Sequence, residues 1–194
     1  MIPSSAETLV RSSRRASRLS QKALGERSGI AASSLSLIES GDRIPTVATL
    51  ERLLAATGRS LVCIPTRRAD AATIGERIAD AVAGADSASA LRHFIQLNDN
   101  LAAEHSEVRF ALSIAEPAPT GVKHWDAALA GLVEFRLQQE GLPVPAWARD
   151  ASRRLRRSWT FSGGRYVVPV DRKRVPKAFL DRGVLIDEET LTSY

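Results

Sequence analysis

Residues 19–45, LSQKALGERSGIAASSLSLIESGDRIP, constrain the fold more than any other part of the chain. Ser20 is placed to cap a helix beginning at Gln21, because its hydroxyl can accept from an orphan backbone N–H. Leu24 faces inward on that helix. Gly29 ends it, since a helix C-terminus commonly needs a left-handed residue and glycine adopts one cheaply. A second helix over about 32–40 puts Leu35 and Ile38 three apart, on one face. Gly41 stops it, and Pro45 forbids continuation. Two short helices at this spacing form a helix-turn-helix, whose second helix can lie in a DNA major groove. Double-stranded DNA is therefore the expected partner.

The rest of the composition sets outer bounds. A chain of 194 residues with 44% hydrophobic content allows this motif and a second substantial unit. No apolar run is long enough to span a bilayer, so no membrane role is expected. The N-terminus lacks the basic and apolar regions of a signal peptide, and the single cysteine, Cys63, excludes an internal disulfide. Both point to the cytoplasm. The net charge of +5 is uneven: residues 1–66 carry nine Lys/Arg against five Asp/Glu, 67–150 eight against twelve, and 151–180 nine against one. Positive charge thus sits in two blocks, and only the first contains the motif.

At Arg14, Leu19-Ser20-Gln21, Leu24, Gly29-Ile30, Leu35-Ser36, Ile38-Glu39, Gly41 and Pro45 the chain resembles the Xre-type helix-turn-helix domains of phage repressors and bacterial regulators. The resemblance covers residues 6–60. It implies a mainly α protein whose N-terminal domain is of the five-helix, lambda-repressor-like type. It also implies that Arg14, on a basic first helix over about 5–17, pairs with Glu39 and ties that helix to the recognition helix. Gln21 matches the position that contacts phosphate and packs on the recognition helix. Gly25 departs from the family, which usually has alanine there. Glycine inside a helix costs on the order of 1 kcal/mol, so unusually close helix packing is expected at that point.

For DNA contact, Lys22 and Arg43 flank the motif and would meet backbone phosphates, which position a protein without reading sequence. The outer side of the recognition helix offers Ala32, Ser33, Ser34, Ser36 and Leu37. Arg for guanine and Asn or Gln for adenine are missing from that set. Specificity is therefore expected to rest partly on DNA shape and phosphate placement.

A fourth helix over 46–57, capped by Thr46, carries Val47, Leu50 and Leu54 on its apolar stripe. Leu61, Val62, Cys63 and Ile64 then read as a strand between a glycine and a proline, with Cys63 an inert buried thiol. A lone strand leaves its backbone groups unpaired. Pairing with the same strand of a second copy satisfies them, and so does pairing elsewhere in the chain. Antitoxins of the HipB type, which the N-terminal domain also resembles, imply the first: a dimer ribbon. A homodimer suits reading of palindromic half-sites.

The chain is divided as 1–66 (DNA binding and dimerisation), 67–116 (helical) and 117–194 (an α+β module). Helical spacing recurs through 67–115, with a break at Gly84-Ala85-Asp86. Residues 117–121, PAPTG, read as a linker, and helices follow over 125–140 and 147–157. Residues 159–170 read as a small hairpin turning at Gly163-Gly164. A short helix from Pro176 and a turn capped by Asp187 complete the chain.

Catalytic arrangements are absent from the pattern. His93, His105 and His124 lack zinc-ligand spacing, and no phosphate loop or nucleophile elbow occurs. No enzyme activity, cofactor or metal is expected. The second basic block, Arg153, Arg154, Arg156, Arg157, Arg165, Arg172, Lys173 and Arg174, is either a solvated face or a patch for an acidic protein or nucleic acid. Residues 117–186 loosely resemble the tails of actinobacterial Xre-type antitoxins and regulators. Three readings result: a dimeric repressor, an antitoxin holding a toxin through 67–194 while repressing its own operon, and a ligand-sensing regulator.

Overall fold

The computed structural model describes residues 6–161 and 170–192. The chain divides into two compact units, Met1–Arg67 and Arg68–Tyr194. The parts expected separately at 67–116 and 117–194 thus share one unit.

The first unit holds α1 (Ala6–Ala16), α2 (Gln21–Ser28), α3 (Ala32–Ser40) and α4 (Val47–Ala56). Local chemistry sets these boundaries. Ser20 accepts from the Ala23 N–H at 3.1 Å, and Thr46 does the same for Thr49 at 3.2 Å. Gly29 and Gly41 end α2 and α3 with φ of 67° and 86°, a region where a side chain is strained. Val10, Leu24, Ile30, Leu35, Ile38 and Leu53 form the core. Each helix contributes an apolar stripe to it, as helices too short to be stable alone require. Val47, expected on the stripe of α4, is 64% exposed; Leu53 takes the buried position beside Leu54.

The segment over 61–64 is in neither helix nor strand in the single chain. Strand geometry needs a partner for its backbone groups, and the described residues of this unit supply none. Cys63 is exposed, which overturns the expectation of a buried thiol.

The second unit contains α5 (Ala71–Ala83), α6 (Ser87–Ala103), α7 (Ser106–Ile114), α8 (Lys123–Gln138), α9 (Ala146–Arg149) and α10 (Lys177–Leu180). Asp70 and Asp86 cap α5 and α6 by accepting from Thr73 N and Ser89 N. Residues 127–133 of α8 are buried without a break, so this helix is covered on every side. Phe179 of α10 lies against Gly131, where an added Cβ would come within 2.7 Å of its ring. Phe94 of α6 meets Phe161 at 4.8 Å between ring centroids, and Trp125 meets Phe161 at 5.7 Å.

Three expectations for this unit need correction. The stretch 117–121 is not a free linker: Pro117 and Thr120 are buried, and Pro117 fills the space beside Gly75. Buried Arg153 donates to the Pro117 carbonyl at 2.7 Å, so backbone that proline removed from a helix still has a partner. The helix expected over 147–157 ends at Arg149. Asp150 is extended, and its carboxylate accepts from Ser152 N to start a separate turn over Ala151–Arg153. Finally, β1 (Trp159–Thr160) pairs in parallel with β2 (Val184–Leu185). The hairpin turn at Gly163-Gly164 and Arg165 lie outside the described residues.

Candidate nucleic-acid interface

The interface is built on Glu39, a carboxylate at the end of α3 that is 5% exposed. Arg14 of α1 donates to it twice, Nε at 2.6 Å and Nη2 at 2.8 Å, and also donates to the Leu19 carbonyl. Gln21, the first residue of α2, donates from Nε2 to Glu39 at 3.0 Å, and Arg11 donates to the Glu39 backbone carbonyl. Three helices thus meet on one residue. Burial alone would raise the Glu39 pKa; hydrogen bonds from Arg14 and Gln21 outweigh it and hold the carboxyl below its ordinary value. The same bond raises the pKa of Arg14 against the opposing effect of burial.

Close approach of the helices has a second cause. A Cβ on Gly25 would stand 2.7 Å from the Ile30 carbonyl oxygen and 3.5 Å from Ala32 N. Glycine at this buried point of α2 therefore lets the turn fold back tightly and set the angle of α3.

With Leu35, Ile38 and Glu39 turned inward, α3 exposes Ala32, Ser33, Ser36 and Leu37, with Ser34 half-buried. Lys22 is exposed at the start of α2. Arg43, beyond α3, folds back so that Nη1 donates to Ser34 Oγ at 3.1 Å, while its own N–H bonds the Leu37 carbonyl. A guanidinium therefore lies beside the outer face of the recognition helix. Spacing alone gave no sign of this, because the contact depends on the loop after Gly41. Two short helices with a left-handed glycine between them, a packed inner face and a polar outer face bordered by cations make a surface for the DNA major groove.

Residues 10–62 match the family model described as Helix-turn-helix. This segment is an Xre-type helix-turn-helix domain. The protein is accordingly a DNA-binding transcription regulator. No curated protein and no solved structure matches the chain.

Outside the helix-turn-helix domain, the expected basic patch separates into two kinds of residue. Arg153 is 4% exposed, lies 3.2 Å from Glu116 and stacks over Trp147 at 5.1 Å, so it belongs to the interior of the second unit. Arg174 is ion-paired with Asp187 and Glu189. Arg154, Arg156, Arg157, Arg172 and Lys173 are exposed. Three further buried arginines escaped the sequence reading. Arg109 and Arg136 donate to the carbonyls of Arg136 and Leu191, and Arg182 to those of Ala178 and Ala148. Arg182 also meets Glu134 at 2.5 Å. Among the described residues no cluster of His, Cys, Asp and Glu can hold a metal, and no helix is long and apolar enough to cross a membrane.

Proposed function

We propose that this regulator is a dimeric repressor that reads a two-fold symmetric operator through α3. The observation that carries the reading is the apolar segment after α4. Leu61 is 38% and Val62 73% exposed, and neither has a strand partner among the described residues of its unit. Ile44, 90% exposed, adds apolar surface in the same unit. Pairing of the 61–64 segments from two copies would satisfy their backbone groups and cover those side chains. Two recognition helices would then contact half-sites about one DNA turn apart.

In this reading Lys22, Gln21 and Arg43 contact phosphates, with Arg43 held in place by Ser34. Ser33, Ser34 and Ser36 offer hydrogen bonds to base edges, and Ala32 and Leu37 offer apolar contact to thymine methyls. Few strong readers remain, so DNA shape supplies part of the specificity.

Selection of bound sites from a random double-stranded library, followed by footprinting, tests the reading. Palindromic sites with half-sites about one turn apart are expected. Swaps of uncontacted central base pairs should change the affinity. A monomer on a single half-site, at concentrations where DNA is saturated, would overturn the dimer.

A further inference from the structure

A cleft of about 470 Å³ opens on the second unit between the start of α8 and the segment after α9. Lys123, Ala151, Ser152, Arg154, Leu155 and Arg156 line it. Three of these six side chains are cationic and none is acidic. We propose that this cleft binds a small polyanion of the phosphorylated-metabolite class, with Arg154 and Arg156 as the principal anion contacts and Lys123 facing them.

Several features separate this site from a general solvated basic face. No ion-pair partner for Lys123, Arg154 or Arg156 occurs among the described residues, whereas Arg153 is paired with Glu116 and Asp126. The wall that carries the arginines is fixed. Arg153, between two lining residues, is anchored by its bond to the Pro117 carbonyl and its pairing with Glu116. Leu155 N donates to the Arg182 carbonyl at 3.0 Å, and Trp159 N to that of Gly183 at 2.8 Å. Arg154, Leu155 and Arg156 follow one another along this wall and all three line the cleft. Both guanidiniums are thereby carried on backbone that does not need to be ordered when an anion binds, which lowers the entropic cost of binding.

Glu116 and Asp126, the latter 4.0 Å from Arg153 Nη1, balance the charge of Arg153, so the cationic character of the cleft rests on Lys123, Arg154 and Arg156. The nearest acid in sequence, Asp150, directs its carboxylate to Ser152 N at 2.8 Å. Arginine suits such a site because its planar fork donates two parallel bonds to a phosphoryl group. A concave cleft of this size holds a small molecule, and its three cations suit phosphoryl groups carried on it. Arg157, Arg172 and Lys173, which a nucleic-acid track would be expected to use, do not line the cleft.

The test is calorimetric titration of the full chain with sodium pyrophosphate at low ionic strength, beside the double variants Arg154→Ala/Arg156→Ala and Arg172→Ala/Lys173→Ala. Each double variant removes two positive charges, but only the first pair lines the cleft. Saturable uptake of one pyrophosphate per chain is expected, weakened about tenfold or more by the first pair and about twofold or less by the second. Unchanged tryptophan fluorescence would show that each variant is folded; if the alanine pair is not, Arg154→Gln/Arg156→Gln takes its place. Lack of saturable uptake, or equal weakening by both pairs, would overturn the proposal. Displacement of pyrophosphate from the wild-type protein by random-sequence duplex DNA, together with weaker binding of that DNA by Arg154→Ala/Arg156→Ala than by Arg172→Ala/Lys173→Ala, would overturn it in favour of a nucleic-acid surface. None of these outcomes bears on operator recognition by α3.

Discussion

Arg14 and Glu39, twenty-five positions apart, meet through two hydrogen bonds of 2.6 and 2.8 Å and join α1 to the recognition helix. The pair fixes where α3 sits, so its loss should reach DNA binding through stability. Breaking a buried pair from one side costs about 3–5 kcal/mol. Arg14 keeps 15% exposure, which favours the low end of that range. Glu39→Ala should therefore accelerate amide exchange in peptides covering 20–45 while leaving those of the second unit unchanged. The first unit contains no Trp, Tyr or Phe, so tryptophan fluorescence reports the second unit alone and serves as the internal control.

The same carboxylate sets an acid limit. Its folded pKa lies below the ordinary 4.5 because Arg14 and Gln21 donate to the ionised form despite burial. Its contribution is therefore complete above about pH 4.5 and is lost as the pH falls through the lower folded value. Exchange protection of 20–45 should be flat from neutrality to about pH 5 and weaken below that, after correction for intrinsic exchange. In Glu39→Gln this acid-dependent loss should shrink.

Gly25→Ala should reverse the usual propensity effect. In an open helix interior the change stabilises by about 1 kcal/mol. Here the new Cβ would meet the Ile30 carbonyl oxygen at 2.7 Å, and that oxygen belongs to backbone. The variant is expected to melt lower than the wild type in its first unit. A higher melting temperature would mean that the turn can relax.

Arg43→Ala should weaken binding to specific and random duplexes alike, and lower the magnitude of the slope of log K against log salt by about 1. On random duplexes Ser34→Ala should give a smaller loss, since there it removes the 3.1 Å bond that holds the guanidinium but leaves the cation in place. A loss confined to one base position of the operator would instead make Arg43 a base reader.

Arg182→Met should destabilise the second unit by about 3 kcal/mol or more, since it leaves Glu134 without its buried partner and two carbonyls without a donor. Tryptophan fluorescence during urea unfolding measures it directly. The double variant Arg182→Met/Glu134→Gln should recover part of the loss.

The sequence alone determined the helix-turn-helix: Ser20, Gly29, Gly41 and Thr46 act on backbone within four residues, so their roles are readable without any distant contact. The periodic inward positions Leu24, Leu35 and Ile38 were legible for the same reason. Tertiary structure decided the fate of the charges. Arg153 and Arg154 are neighbours of one type, yet one is buried against Glu116 and Pro117 and the other faces a cleft. Nothing local distinguishes them, because a guanidinium can satisfy carbonyls inside a protein as well as water outside it. Likewise Trp159 and Thr160 found their strand partner at Val184 and Leu185, across a crossover, and Arg43 found Ser34 across the loop after Gly41. Capping is a property of a few consecutive residues, whereas burial of an arginine depends on which carbonyls and carboxylates the rest of the chain brings to it.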